Sequence, residues 1–209
     1  MTERETATPA VPPIHLRAAI EIADPVRIVL GFLEAWPVLV GDVSASFRES
    51  DLRIANRGGA RISAAEIAAV LERRSAIERA LRAVASDVSL AGAMHSLPWL
   101  QLRHLFDAFA GIRGIGFSKT TKALHPKRPA LVPMLDSVVQ KYLAADDLGA
   151  QAPFGERAVA LVRGYKRDLD DNRKAIRVVR KELARRGHDV TEVRILDLLI
   201  WSALAAPAP

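Results

Sequence analysis

The chain has 209 residues, half of them apolar and 26% charged, with a formal net charge of +6 and no cysteine. That is enough apolar material for a packed core. The missing thiols exclude disulfides, thiolate zinc sites, a cysteine nucleophile and cysteine-held iron–sulfur clusters.

No basic segment followed by an apolar run opens the chain, and the late apolar run 195–206 is short and carries Asp197. The expectation is a cytoplasmic protein without a membrane span. The positive charge is unevenly placed. Residues 113–141 hold six basic side chains against one acidic, and residues 156–194 hold twelve against seven, whereas residues 1–112 hold twelve against thirteen. Two basic stretches on a near-neutral body fit either a polyanion footprint or two solvated helix faces.

In chain order, residues 1–13 read as a loose tail ending in Val11-Pro12-Pro13. Pro25 to Trp36 fits a short helix opened by proline and stopped before Pro37. Val38 to Val43 is the best of the weak strand candidates. Ser63-Ala-Ala-Glu66 is a capping-box sequence, and Ile67, Val70, Leu71, Ile77, Leu81 and Val84 keep a helical rhythm behind it. Ser96 suits the cap of a helix carrying Leu100, Leu102, Leu105, Phe106 and Phe109. Further helices fit 117–124, 136–144, 156–169, 171–186 and 190–204, with Gly187 as a C-terminal cap and residues 206–209 as a second tail. The chain reads as all-α, one helical domain over residues 14–205 or two helical lobes.

The chemistry concentrates between Leu105 and Leu143. An amphipathic helix runs into Gly111-Ile112-Arg113-Gly114-Ile115-Gly116, and Phe117 starts another. Such a hairpin presents backbone N–H groups at the second helix's N-terminus, where glycine lets a ligand approach and the dipole favours a phosphate. Arg113, Lys119 and Lys122 add charge nearby. The basic run from Arg157 to Arg186 fits a second phosphate track or a solvated surface helix.

This segment resembles the helix-hairpin-helix–Gly/Pro–Asp (HhH-GPD) superfamily of DNA glycosylases. Residues 112–116 stand for the hairpin, with Arg113 in place of its usual proline. Thr120 takes the place of the small helix residue, Pro133 lies in the loop, and Asp136 is the aspartate opening the next helix. The chain also resembles a little-characterised bacterial branch with Asp-Leu-x-x-x-Asn early (Asp51, Leu52, Asn56) and K-R-P-x-L-x-P before the aspartate (Lys127 to Pro133). The resemblance implies an all-α glycosylase fold and a catalytic Asp136, whose carboxylate would stabilise positive charge on the sugar as the N-glycosidic bond breaks. The same position suits a plain N-cap, and the two roles are compatible.

Backbone contacts are expected from Arg113, Gly114, Gly116, Ser118, Lys119, Lys122, Lys127 and Arg128. Ser118 stands where bifunctional members carry a lysine nucleophile, which implies monofunctional chemistry; Lys119, one residue on, points about 100° away on a helix. Asn56, Arg57, Asp197 and Trp201 are candidates for a base pocket. For Asn56 a loop-stabilising role is equally open, and for Asp197 a structural hydrogen bond. Trp99 fits a duplex wedge or core filling.

The five histidines show no metal-ligand spacing, and no metal or cofactor is implied. The expected partner is DNA, with no membrane contact. The leading expectation is a monofunctional DNA glycosylase. Its substrate is either an ordinary damaged base or a hypermodified one, such as the glucosylated hydroxymethylcytosine of some phage genomes. The alternative is a non-catalytic helix-hairpin-helix module that holds DNA.

Overall fold

Capping chemistry sets where the helices begin, because an oxygen before the first turn accepts from amides with no partner inside the helix. The computed structural model describes residues 11–36 and 41–205, and ten α-helices carry most of their regular structure. Asp24 opens α1 (Pro25–Ala35), accepting from the Arg27 amide at 3.1 Å, with Pro25 where its missing N–H costs nothing. α2 (Glu49–Arg57) starts with the Arg48 amide donating to Asp51 at 2.7 Å. Ser63 and Glu66 form the reciprocal box ahead of α3 (Ala64–Glu72), and α4 (Arg74–Arg82) follows a break at Arg73. α5 (Trp99–Asp107) and α6 (Phe117–Leu124) flank the glycine-rich hairpin.

Asp136 then caps α7 (Ser137–Tyr142), and α8 (Phe154–Asp171), α9 (Arg173–Arg185) and α10 (Glu192–Leu204) complete the chain. Past the end of α9, Gly187 adopts φ +87°. Its N–H reaches Ala184 O and that of His188 reaches Leu183 O, both at 3.0 Å, a Schellman ending.

The helical expectation holds, with several local differences. A two-residue pair, β1 (Ile14–His15) antiparallel to β2 (Glu21–Ile22), precedes α1 and is too short to show a period. Its connection places Ala18 and Ala19 at φ +56° and +57°, a left-handed pair that favours glycine or asparagine. Arg17 fixes that turn, donating to Asp168 at 2.8 Å, Asp146 at 2.6 Å and the Gly164 carbonyl at 3.1 Å.

Of the strand candidate 38–43, residues 38–40 lie outside the described residues, as do 1–10 and 206–209 of the tails; residues 41–43 form no strand. Ser96 does not cap α5. It ends a 3-10 turn (Met94–Ser96) and donates to Ala93 O at 2.9 Å, while Pro98 stands at the cap position. α2 escapes the sequence pattern because most of its residues are polar and only Leu52 and Ala55 give it an apolar face.

The buried apolar side chains form one cluster running from Ile14 to Ile200. α5 packs on α8, α10 on α1 and α7, and α6 on α2. Gly155 makes the α5–α8 approach possible. A Cβ there would lie 2.6 Å from the Arg103 carbonyl, and its amide instead donates to Asp107 at 2.8 Å. Among the described residues, no helix is long and apolar enough to cross a membrane.

Candidate active site

Asp136 stands at the end of a loop fastened from several directions. Arg128, in that loop, is buried at 3% exposure. Its guanidinium donates to Val84 O at 3.0 Å, Leu81 O at 2.8 Å and Val43 O at 2.7 Å, so it caps the C-terminal end of α4. Lys127 is 1% exposed and lies 3.2 Å from the equally buried Asp51 of α2. His125 Nδ1–H donates to Val132 O at 2.7 Å, and burial pushes that imidazole down to about 4, so it is neutral near pH 7. Thr191 donates to Pro129 O, and the Leu90 amide to Ala130 O.

Two expectations are corrected by these contacts. Lys127 and Arg128 cannot hold a DNA backbone, because both are buried with their donors engaged inside the protein. Their role is to anchor the loop. The early Asp-Leu-x-x-x-Asn pattern and the later K-R-P pattern thus meet physically, as the two halves of one buried ion pair.

α6 and α10 hold the last residues of this loop. Thr121 accepts from the Leu135 amide at 3.0 Å and donates to Phe117 O at 2.8 Å, tying the loop to α6. Arg194, Asp197 and Trp201 share one face of α10 at spacings of three and four. Asp197 accepts from the Met134 amide at 3.3 Å, and Trp201 donates its indole N–H to Asp136 Oδ2 at 2.6 Å. Asp136 Oδ1 accepts from the Val138 and Val139 amides at 3.0 and 3.1 Å, so the cap role is realised. Both oxygens have fixed partners, which orients the carboxylate; the side chain is half-buried and keeps a face to solvent.

Between α5 and α6 the chain turns through two left-handed glycines. Gly111 and Gly114 adopt φ +73° and +81°, Ile112 and Ile115 are buried, and Arg113 is exposed. No side chain caps α6, so the first-turn amides of Phe117 and Ser118 stay open. The pocket over Gly114 is filled by Glu66 of α3: a Cβ there would lie 2.1 Å from its Oε1. Glu66 takes a hydrogen bond from Lys119 at 2.6 Å, and that lysine holds the Glu66 carboxyl below its usual range. Lys119 is therefore neutralised within the chain. Lys122, one and a half turns into α6, is half-buried and donates to Gly59 O at 3.4 Å. Burial lowers its pKa first, Asp136 pulls it up, and Arg194 and Arg61 lower it further.

The four base-pocket candidates are not brought together. Asn56 spends its amide on the Ile62 backbone, accepting at 2.6 Å and donating at 2.8 Å, which is the loop-stabilising role. Arg57 is exposed at the end of α2. Asp197 is 2% exposed, with Oδ1 lacking any partner, and burial pushes its carboxyl up to about 7 against the pull of Arg194. Only Trp201, 41% exposed, faces outward beside Asp136. The sequence reading missed Arg61 and Arg194 altogether, since nothing local marks a single arginine in a turn or on an apolar helix.

Residues 43–204 match DUF6308, a family of unknown function. The chain belongs to that family. No curated protein and no solved structure matches it. The matched span of this DUF6308 chain takes in the Asp51–Lys127 pair, the hairpin, Asp136 and the α10 face.

Elsewhere in the DUF6308 chain the basic run is largely neutralised. Lys166 is buried and paired with Asp170, Arg157 pairs with Asp147 at 2.8 Å, and Glu182 takes both Arg185 and Arg186. The exposed Arg163 stacks over Trp99, 5.0 Å from the ring centre. Trp99 is half-buried against the core and donates to Met94 O, a packed position. It also lines a surface cleft of about 600 Å³ with Leu100, Leu148, Arg163 and Arg167. A second cleft of about 540 Å³ lies between Arg27 and Glu182. Asp136 lines neither.

Proposed function

We propose that this protein is a monofunctional DNA glycosylase in which Asp136 supports cleavage of an N-glycosidic bond. The observation that carries the reading is the placement of Asp136. A loop locked by four helices delivers its carboxylate, oriented by Trp201, to the flank of the helix whose open N-terminal amides suit a phosphate. Hairpin amides and Arg113 grip the backbone, a nucleotide swings out, and the carboxylate opposes the charge growing on its sugar. Ser118 is an alcohol and Lys119 is held by Glu66, so neither offers a free amine for a Schiff base.

The test is to incubate the protein with unmodified, uracil-containing, alkylated, oxidised and glucosyl-hydroxymethylated DNA and count abasic sites. Release should occur from at least one of these and fall about a hundredfold in Asp136→Asn. Borohydride should trap no covalent adduct. Since Asn56 is committed to the Ile62 backbone and Asp197 is buried, a hydroxyl-rich base has no special claim over ordinary lesions, and the panel decides between repair and phage defence.

A second reading, a DNA-holding module without catalysis, is favoured by the two clefts, neither of which Asp136 lines. Binding with no base release from any DNA would establish it.

A further inference from the structure

Most half-buried or buried cations in this chain have an acidic partner: Lys119 with Glu66, Lys127 with Asp51, Lys166 with Asp170, Arg17 with Asp146 and Asp168. Arg128 is satisfied instead by backbone carbonyls, whereas the half-buried Lys122 and Arg194 have neither kind of full pairing, and the exposed Arg61 stands on the turn beside Lys122. Among the described residues, no carboxylate lies within ion-pair distance of Arg61, Lys122 or Arg194.

They come from three separate segments, and contacts tie each to the surroundings of Asp136: Lys122 reaches Gly59 O, two residues before Arg61, its neighbour Thr121 holds the Leu135 amide, and Arg194 reaches Met134, two residues before Asp136. The turn bearing Arg61 is held rigidly. Asn56 clamps Ile62 on both backbone groups, Gly59 N donates to Asn56 O at 2.9 Å, and Arg61 itself sits at φ +54°. A non-glycine residue in that region carries strain, which persists only where the surroundings fix it.

The donors are also to spare. Among the described residues, Lys122 uses one N–H on Gly59 O, and the Arg194 guanidinium hydrogen-bonds only Met134 Sδ at 3.6 Å. The Arg61 side chain makes no hydrogen bond among the described residues and is exposed. Arginine forks and an ammonium with free protons match an oxyanion with several acceptor lone pairs.

We propose that Arg61, Lys122 and Arg194 form a phosphate site beside Asp136, separate from the hairpin. It takes the phosphodiester next to the nucleotide whose sugar faces that carboxylate. The assignment of a DNA phosphate rests on the glycosylase reading; the anion site does not. In this arrangement the hairpin and the cation site hold different phosphates of one strand, with Asp136 beside the second. Burial first, and then Arg194 and Arg61, hold the Lys122 ammonium below its usual range, and an arriving anion offsets both.

The experiment uses the full-length, ¹⁵N-labelled protein and follows the Trp201 indole N–H, which is bonded to Asp136 beside the site. Inorganic phosphate and methyl phosphate, titrated against chloride at equal ionic strength, should shift this resonance saturably at millimolar concentration. Affinity should drop about tenfold in Lys122→Met and in Arg61→Gln, the latter at an exposed position where folding is not at risk. Equal responses to phosphate and chloride, or unchanged affinity in both variants, would overturn the site.

A second arm compares an intact duplex with one carrying a tetrahydrofuran abasic analogue. Both variants should weaken binding to the abasic duplex about tenfold more than to the intact one. Saturable phosphate binding with no preference between the duplexes would uphold the anion site and remove the glycosylase reading.

Discussion

Asp197 offers a measurement on the site that needs no substrate. Its carboxyl is almost fully buried, keeps one oxygen without a partner, and is pushed up to about 7 from 3.8, first by desolvation, with Arg194, the Met134 amide and Tyr165 pulling it back. A folded-state pKa above the unfolded value means that the native protein holds the proton longer. The stability contributed by this group is full below the unfolded pKa and is lost as pH rises toward 7. The loss accumulates at about 1.4 kcal/mol per pH unit, to about 4 kcal/mol above pH 7.

Asp197→Asn keeps an oxygen for the Met134 amide and removes the titration. Any packing cost of the new amide is the same at every pH, so the difference between two pH values isolates the effect. At pH 5 wild type has lost about 1–2 kcal/mol through this group, so the advantage of the variant should grow by about 2–3 kcal/mol between pH 5 and pH 8. For a chain of this size that is roughly 5–10 °C in relative Tm. Calorimetry or chemical denaturation on both proteins at both pH values reads it directly. Parallel pH profiles would show that the carboxyl is hydrated and titrates normally.

Three further outcomes follow from the same geometry. Lys127→Met leaves Asp51 buried and unpaired and should cost about 3–5 kcal/mol by urea denaturation. Adding Asp51→Leu should restore all but about 1 kcal/mol, the lost cap on Arg48; a double variant as unstable as the single would refute the ion-pair account. Ala18→Gly and Ala19→Gly should each raise stability by about 0.5–1 kcal/mol, because both alanines sit at left-handed φ, and lower thermal midpoints would count against that strain. Glu66→Gln releases Lys119 and should tighten DNA binding severalfold in fluorescence anisotropy, steepening the salt dependence by about one phosphate. Unchanged affinity and slope would remove Lys119 from the interface.

The sequence by itself determined what depends on neighbours along the chain. The Ser63–Glu66 box, the Gly187 ending and most of the helix periods are local and are realised where the residues predict them, the mostly polar α2 being the exception. Asp136 as a helix cap was legible for the same reason. The partners of charged side chains are not local. Lys127 and Arg128 look like loop cations until the fold places Asp51 and the end of α4 against them. Lys119 looks free until Glu66, 53 residues earlier, meets it. Conversely, Arg61 and Arg194 carry no signal until Lys122 reaches the turn after α2 and Arg194 reaches the loop before Asp136. Charge can be counted in a sequence, but whether it is neutralised depends on distances of a few ångströms across the chain. Tertiary packing alone fixes those distances.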